Sequence, residues 1–252
     1  MLNESCRTLV ITGGSRGIGA AVARLAGSRG YFVALSFLGN EAAAHGVVKE
    51  IRSSGGSAVA IRGDVALEAD IIRLFQEAEQ QLGPICGLVN NAGVTGGFSR
   101  VEALEASSLA RVLNTNVAGT ILCAREAVKR MSTRHGGHGG VIVNISSLAA
   151  RIGGAGEWVH YAASKGAVDT FTVGLAREVA AEGVRVNAVA PGLIATDIHA
   201  ANGTPDRLER LRPTIPLGRA GSPAEVAEGV LWLLSDAASY ITGTILEIGG
   251  GR

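Results

Sequence analysis

The sequence of 252 residues has little of what marks secreted, membrane-spanning or nucleic-acid-binding proteins. Its three cysteines lie far apart and form no Cys-x-x-Cys pair, which argues against disulfides and favours a cytoplasmic location. No apolar run approaches the roughly 18–20 residues that cross a bilayer, and residues 1–7 lack the apolar core of a signal peptide. A formal net charge of +1 gives no broad basic face for nucleic acid. We therefore expect neither a membrane nor a nucleic acid as partner.

Glycine and apolar residues are abundant instead. The chain has 36 glycines, roughly twice the average share, and only six prolines. Hydrophobic residues make up 47% and charged residues 18%, a balance that can bury a large core and excludes a disordered chain. Since no linker, repeat or low-complexity segment interrupts the chain, we expect a single domain over residues 1–252.

Short aliphatic runs alternate with longer helical segments along the chain. Predicted strands cover residues 8–11, 31–37, 57–62, 85–90, 141–145, 184–190 and 245–248. Predicted helices cover residues 20–28, 41–53, 68–82, 107–134, 161–182 and 223–235. Because the strands are almost continuously apolar and helices separate them, the pattern favours right-handed crossovers and a sheet buried on both faces. The sequence therefore predicts an α/β fold with a doubly wound, mostly parallel seven-stranded sheet, which binds ligands at the carboxyl ends of its strands.

The first predicted strand ends in a glycine-rich turn, Thr-Gly-Gly-Ser-Arg-Gly-Ile-Gly at residues 12–19, which leads into a helix. Glycine lets a backbone turn sharply and approach a ligand, and a helix N-terminus presents free N–H groups to an anion. A tight structural turn is the alternative, and the absence of Gly-Lys-Ser/Thr argues against a nucleotidase P-loop. We expect the turn to bind the pyrophosphate of a dinucleotide through Gly13, Ser15, Arg16, Gly17, Ile18 and Gly19.

The end of the second predicted strand bears on which dinucleotide is bound. An NAD site usually places Asp or Glu there to bind the ribose 2′-hydroxyl, but the chain has Ser36 and Phe37 and no acid until Glu41. Arg16 lies in the glycine-rich turn, close to where a 2′-phosphate would be. The sequence therefore favours NADP(H), with Ser36 and Phe37 among the contacts, and leaves NAD(H) open.

Tyr161 and Lys165 lie four residues apart in a predicted helix and hence on one face of it. Free tyrosine has a pKa of about 10, and a nearby ammonium lowers that pKa because it stabilises tyrosinate. Ser147 follows the preceding strand and can hydrogen-bond a substrate oxygen. The three residues indicate a proton-transfer site, whereas an ordinary helix-surface pair is the alternative for Tyr161 and Lys165 alone.

Six motifs occur in order along the chain: Thr12-Gly13-x-x-x-Gly17-Ile18-Gly19, Asn90-Asn91-Ala92-Gly93, Asn116, Ser147, Tyr161-Ala-Ala-Ser-Lys165 and Pro191-Gly192. In this order they resemble the short-chain dehydrogenase/reductase family, nearest to its bacterial glucose-dehydrogenase-like and 3-oxoacyl carrier-protein reductase-like members. The resemblance implies a Rossmann fold with Tyr161 as general acid/base and Lys165 also binding the nicotinamide ribose. It further implies that Ser147 binds the substrate oxygen and that Asn116 holds a water of the proton relay.

The resemblance also implies cofactor contacts and an assembly. Asp64 and Val65 are expected to flank the adenine, and Asn90 to brace the sheet. The expected contacts to the adenosine ribose are Asn91, Ala92 and Gly93. The expected contacts to the nicotinamide are Pro191, Gly192, Ile194 and Thr196. Related enzymes imply a homotetramer built on the helices predicted at 107–134 and 161–182, and a substrate lid at about residues 192–216.

Several histidines and arginines remain outside these motifs. His135 and His138 lie in a glycine-rich loop with no Cys or acid beside them, so we expect no metal site. Adjacent helix residues diverge by about 100°, so His160 is expected to have a packing or rim role, and a reach into the cleft beside Tyr161 is the alternative. The lid contains Arg207, Arg210 and Arg212. Because acidic residues are interspersed with these arginines, a solvated surface is favoured, and attraction of an anionic substrate is the alternative.

The motifs together predict an NADP(H)-dependent oxidoreductase that interconverts a carbonyl and a secondary alcohol of a small-molecule substrate. A catalytically silent dinucleotide-binding sensor or scaffold protein is the alternative from another class. The intact set of Asn116, Ser147, Tyr161 and Lys165 argues against it, because binding alone needs neither the Tyr nor the Ser. A sugar epimerase is a weaker third interpretation, since no separate substrate domain is evident.

Overall fold

The computed structural model describes residues 7–196 and 206–252, within which strands and helices alternate. The strands are β1 (Thr8–Ile11), β2 (Phe32–Phe37), β3 (Ser57–Arg62), β4 (Ile85–Asn90), β5 (Gly140–Ile145), β6 (Val184–Pro191) and β7 (Ile245–Ile248). The α-helices are α1 (Gly17–Ser28), α2 (Glu41–Ser53), α3 (Glu68–Leu82), α4 (Ala106–Leu113), α5 (Gly119–Met131), α6 (Ala149–Ile152), α7 (Val159–Val179), α8 (Arg207–Leu211) and α9 (Pro223–Leu234).

The strands form one parallel sheet in the order β3-β2-β1-β4-β5-β6-β7. This confirms the predicted doubly wound Rossmann fold. The chain moves outward from β1 to β3 and then returns to the other side of β1, so that Val10 lies between Ala34 and Leu88. Such a reversal leaves a crevice at the carboxyl ends of the two central strands. The segments that follow β1 and β4 both open onto that crevice.

Each face of the sheet has its own apolar core, because alternate side chains of a strand point to opposite faces. Leu9 and Ile11 of β1 belong to the core that contains residues of α1, α2 and α9. Val10 belongs to the other core, with Phe75 of α3 and Met131 of α5, both completely buried. Burying one such side chain stabilises the fold by about 1.5–3 kcal/mol. The two cores together hold the strand ends in place.

The helix predicted at 107–134 is interrupted in the structure. Helix α4 ends at Leu113, a π-helical turn spans Asn114–Ala118, and α5 begins at Gly119. A Cβ on Gly119 would lie only 2.6 Å from the carbonyl oxygen of Val65, so glycine lets α5 approach the loop after β3. Side-chain periodicity does not report such a change of main-chain bonding, and π turns are frequent at functional sites.

Other element boundaries differ by a few residues from those predicted. Helix α1 includes the end of the glycine-rich turn, because Gly17 already has helical hydrogen bonding. Helix α7 begins two residues before Tyr161 and ends in a 3₁₀ turn at Ala180–Glu182. Part of the predicted lid, residues 197–205, lies outside the described residues. Among the helices that the structure describes, none combines the length and the apolar character needed to cross a membrane.

Candidate active site

The glycine loop, residues 12–19, is hydrogen-bonded to the end of β2. The N-terminus of α1 that follows it has no capping side chain. The N–H of Gly13 donates to Ser36 Oγ at 3.1 Å, and the N–H of Gly14 donates to the Ser36 carbonyl at 2.9 Å. Helix α1 has no side-chain cap and no acidic residue in its first turn. Its first N–H groups and the positive end of its dipole therefore face the crevice without an anionic partner from the described chain, as a pyrophosphate site requires.

The segment after β4 is tied directly to the glycine loop. The hydroxyl of Thr12 accepts hydrogen bonds from the N–H groups of Asn91 and Ala92, both at 3.0 Å. The Asn91 amide donates to the carbonyls of Thr12 and Gly13, at 3.0 and 2.9 Å. A Cβ on Gly19 would lie 2.4 Å from Asn91 Nδ2, so only glycine fits there. This role of Thr12 was not predicted, although a hydroxyl at a strand end beside the glycine motif was the available signal.

Two residues predicted to contact the cofactor at β2 are turned inward. Ser36 is only 2% exposed and its hydroxyl accepts the hydrogen bond from Gly13, and Phe37 is also buried. The exposed positions at this end of the sheet are Leu38–Asn40. Arg16 is exposed as well, and its side chain makes no hydrogen bond or ion pair with the described residues. It is therefore a cation available to a ligand beside the glycine loop.

The other predicted cofactor residues lie at neighbouring strand ends. Asp64 follows β3 and accepts a hydrogen bond from the N–H of Ala66 at 2.9 Å, while Val65 is buried. Asn90 braces the sheet, since its amide donates to Asn144 Oδ1 at 2.9 Å. Thr196 comes within 3.5 Å of where a Cβ on Gly17 would lie. The remaining residues follow β6, where Gly192 donates to the β7 carbonyl of Ile248 at 2.9 Å and Ile194 bridges to Gly221.

Three predicted catalytic residues meet where β5 faces α7. As a hydrogen-bond donor, the Ser147 side chain is near enough to Tyr161 to favour the ionised tyrosine. Lys165 is 5% exposed, its Nζ donates to the carbonyl of Ile145 at 2.7 Å, and it lies 5.7 Å from the centre of the Tyr161 ring. An ammonium has three N–H donors. A single carbonyl partner in the described chain therefore leaves Lys165 with donors for a ligand.

Burial determines the proton affinities at this cluster. It lowers the pKa of Lys165 from its ordinary value of 10.5 to about 8, an effect that the Asp169 carboxylate opposes. Burial raises the pKa of Tyr161 above its ordinary value, while the hydrogen bond from Ser147 and the positive charge of Arg207 oppose the rise. Desolvation disfavours the charged form of either group. The tyrosine therefore holds its proton and depends on nearby donors and cations to release it.

Asn116 lies in the π turn and is completely buried. Its Oδ1 accepts from the N–H of Val94 at 2.8 Å, and its Nδ2 donates to the carbonyl of Val94 and to Ser164 Oγ. Both amide hydrogens are thus used in holding the segment after β4 against α7. A Cβ on Gly93 would lie 3.3 Å from Asn116 Oδ1 and 3.6 Å from Lys165 Nζ, so glycine keeps the space between them open.

Aromatic residues and one lid arginine flank Tyr161. Trp158 lies with its ring centre 5.9 Å from that of Tyr161 and 4.6 Å from that of Phe98. Arg207 stacks on Trp158 and forms an ion pair with Glu157. The expectation of a solvated surface is wrong for Arg207, which is 6% exposed, because these partners enclose it. The contacts of Trp158 with Phe98 and Arg207 join distant segments of the chain, so no local sequence pattern reports them.

The other lid arginines and the histidines lie at the edge of this region or away from it. Arg210 and Arg212 are exposed. His160 is buried, and its Nε2 lies 2.9 Å from the carbonyl oxygen of Thr95, as a packing role requires. His135 and His138 are exposed in the loop before β5. In the described ranges, no group of three or more His, Cys, Asp or Glu residues is placed to hold a metal ion.

Comparisons with known proteins agree with this geometry. A family model described as enoyl-(acyl carrier protein) reductase matches residues 13–252. The chain is 49% identical over 243 residues to the uncharacterized oxidoreductase YgfF of Escherichia coli K12, covering 96% of this chain and 98% of that protein. It is 35% identical over 246 residues to the 3-oxoacyl-acyl-carrier-protein reductase FabG of Staphylococcus aureus, covering 97% of each. A solved short chain dehydrogenase of Burkholderia cenocepacia J2315, in complex with NADP, has a TM-score of 0.90 at 31% identity, covering 98% of this chain and 97% of that one. The chain belongs to the short-chain dehydrogenase/reductase family of oxidoreductases, as its motifs predict.

Proposed function

We propose that the chain is an NADP(H)-dependent oxidoreductase that interconverts a carbonyl and a secondary alcohol, with Tyr161 as general acid/base. The observation that carries the proposal is the meeting of three side chains: Ser147 acts on the Tyr161 hydroxyl, and the buried ammonium of Lys165 lies 5.7 Å from the centre of the Tyr161 ring. A bound nicotinamide dinucleotide would supply hydride to the carbonyl carbon, or accept it from the alcohol.

The side chains divide the proton chemistry between them. Ser147 hydrogen-bonds the substrate oxygen and orients it toward Tyr161. In reduction the Tyr161 hydroxyl donates its proton to that oxygen, and in oxidation tyrosinate takes the proton back. The ammonium of Lys165 stabilises tyrosinate and donates its remaining N–H groups to ribose hydroxyls. Asn116 ties the segment after β4 to α7 from the π turn, and a water held there would continue the proton relay.

The residues around the crevice suit a dinucleotide with a 2′-phosphate. The pyrophosphate would lie at the open N-terminus of α1, against the N–H groups of residues 13–19. Arg16 would bind the 2′-phosphate, since it is exposed and unpaired in the described ranges and no acidic side chain follows β2 until Glu41. The Burkholderia relative was solved with NADP, which supports this choice. Adenine and adenosine ribose would lie against Asp64, Val65 and residues 91–93.

Oxidation and reduction rates over sugars, acyl thioesters and ketosteroids, each with NADP(H) and NAD(H), test the proposal. We expect turnover of at least one carbonyl–alcohol pair, with NADP(H) preferred. Dinucleotide binding without turnover across the panel would instead favour the silent sensor or scaffold protein. We further propose that residues 1–252 act as one domain, in the cytoplasm, on a small molecule.

A further inference from the structure

A continuous wall extends from the reacting tyrosine to the lid. The Trp158 ring meets the Tyr161 ring edge to face, with an angle of 71° between their planes. The guanidinium of Arg207 lies 4.3 Å above the centre of the Trp158 ring. Phe98 packs on the same indole. Trp158 and Arg207 are therefore the side chains that continue this wall from Tyr161 toward the lid.

This wall contains two buried hydrogen-bond donors that have no acceptor. In the described part of the chain only three buried side-chain polar atoms lack a partner, namely Trp158 Nε1, Arg207 Nε and Asp169 Oδ1. Buried donors are almost always paired, because an unmade bond costs free energy. Two such donors on stacked side chains next to Tyr161 indicate a place for acceptor oxygens from a ligand.

The charge at this wall is positive. Glu157 is the carboxylate partner of Arg207, and its second oxygen lies 3.7 Å from Arg210. Two guanidinium groups therefore share one carboxylate. The positive charge of Arg207 also acts on Tyr161, which places it within electrostatic reach of the reacting hydroxyl. A ligand with an anionic oxygen would supply this wall with both the missing hydrogen-bond acceptor and the compensating negative charge.

We infer that Arg207 and Trp158 form a subsite for a carboxylate, and that the substrates are oxo acids and the corresponding hydroxy acids. The reacting carbonyl lies at Tyr161 and the carboxylate at Arg207. This inference rests on the proposed function, because it names the substrate class of the same site.

The kinetic test compares oxo acids with their methyl esters, using NADPH. For the wild type we expect kcat/KM for the acid to exceed that for the ester by about 10- to 100-fold, the range of one charge-assisted hydrogen bond. Arg207→Met should bring this ratio close to one. Arg207→Lys keeps the charge and loses the Nε donor, so it should give an intermediate ratio. The exposed Arg212→Met is the matched control and should leave the ratio at the wild-type value.

A binding test is independent of turnover. Trp232→Phe leaves Trp158 as the single tryptophan, because the chain has two. In this background, with NADP⁺ present, hexanoate should change the Trp158 fluorescence saturably and hexanamide should bind about tenfold more weakly or worse. Adding Arg207→Lys should weaken hexanoate binding. Equal binding of acid and amide, or an acid-to-ester ratio unaffected at Arg207, would overturn the subsite. If the enzyme turned over esters as efficiently as acids, the carboxylate subsite would be overturned, and the proposed oxidoreductase function would remain.

Discussion

The Tyr161 hydroxyl is the single atom on which the proposed proton transfer depends. Tyr161→Phe removes that oxygen and keeps the ring that packs on Trp158. We expect turnover to fall by about 10²- to 10⁴-fold, since the general acid is lost, while dinucleotide affinity changes little. Steady-state rates and fluorescence titration measure the two quantities.

The control for this prediction is Tyr240→Phe, which removes the same oxygen from a fully exposed tyrosine. We expect it to match the wild type in both measurements. If Tyr161→Phe kept more than about a tenth of the wild-type rate with chemistry rate-limiting, Tyr161 would not be the general acid.

The burial of Lys165 should make the free energy of unfolding depend on pH. Its pKa is lowered to about 8 in the folded chain, so the folded state disfavours its proton relative to the unfolded state. The resulting penalty is complete below pH 8 and disappears as the pH rises toward 10.5. Lys165→Met should therefore be more stable than the wild type at pH 7, by up to about 3 kcal/mol, with the difference shrinking by pH 10.

Urea unfolding at fixed protein concentration and several pH values measures this difference. The exposed Lys49→Met is the control and should show a difference from wild type that does not vary with pH. A pH-independent difference for Lys165→Met would show that the buried ammonium carries no such penalty.

Arg16 is expected to determine the choice of dinucleotide. Arg16→Ala removes a charge-assisted hydrogen bond to the 2′-phosphate, so kcat/KM for NADPH should fall by about 10- to 100-fold and that for NADH should change little. Arg24, in α1, is paired with Glu50 and serves as the control, since Arg24→Ala should alter neither value. Equal wild-type affinities for the two dinucleotides would contradict a 2′-phosphate site here.

The boundaries of helices and strands were most predictable where a clear pattern of apolar residues defines the element. Strands 57–62 and 85–90 and helices 41–53 and 68–82 have the predicted boundaries, because glycine, proline or a polar cap flanks a clear apolar pattern. The π turn at Asn114–Ala118 was not predictable, since it changes main-chain bonding without changing side-chain periodicity.

The positions of site residues were predictable where one local motif carries them. They were less predictable where packing between distant segments sets the position of a side chain. Tyr161 and Lys165 come together because one helix carries both. The inward turn of Ser36 and the burial of Arg207 depend on contacts with distant segments, such as the glycine loop and Glu157. No local pattern reports contacts of that kind.

The close approach of the glycine loop to the segment after β4 predicts opposite effects for two similar substitutions. Gly19→Ala places a Cβ 2.4 Å from Asn91 Nδ2 and 2.5 Å from the carbonyl of Gly13. We expect a loss of about 1–3 kcal/mol of unfolding free energy from overpacking, and weaker dinucleotide binding. Gly46→Ala in α2 has open space around it, so it should stabilise the fold by about 0.5–1 kcal/mol. Thermal unfolding and dinucleotide titration distinguish the two, and equal effects would mean that the loop tolerates a Cβ.

At the scale of the whole molecule, the exposed apolar residues predict an assembly. Leu113, Ile121 and Val159 belong to α4, α5 and α7 and remain substantially exposed in the single chain. Covering such side chains stabilises an oligomer, and a two-fold axis repeats the same patch on both subunits. We expect a homotetramer by sedimentation, and Ile121→Glu should dissociate it. A monomer at every protein concentration would contradict this prediction.

The hydrogen bonds between Thr12 and Asn91 join residues that are 79 positions apart in the chain. Closing so long a loop costs conformational entropy before its contacts form, so pairings of this kind form slowly. The helices between them can form much earlier, from local interactions alone. A refolding chain should therefore regain its helical circular dichroism well before it regains the ability to bind a dinucleotide. A bound dinucleotide can therefore stabilise newly made protein only after this long-range contact has formed.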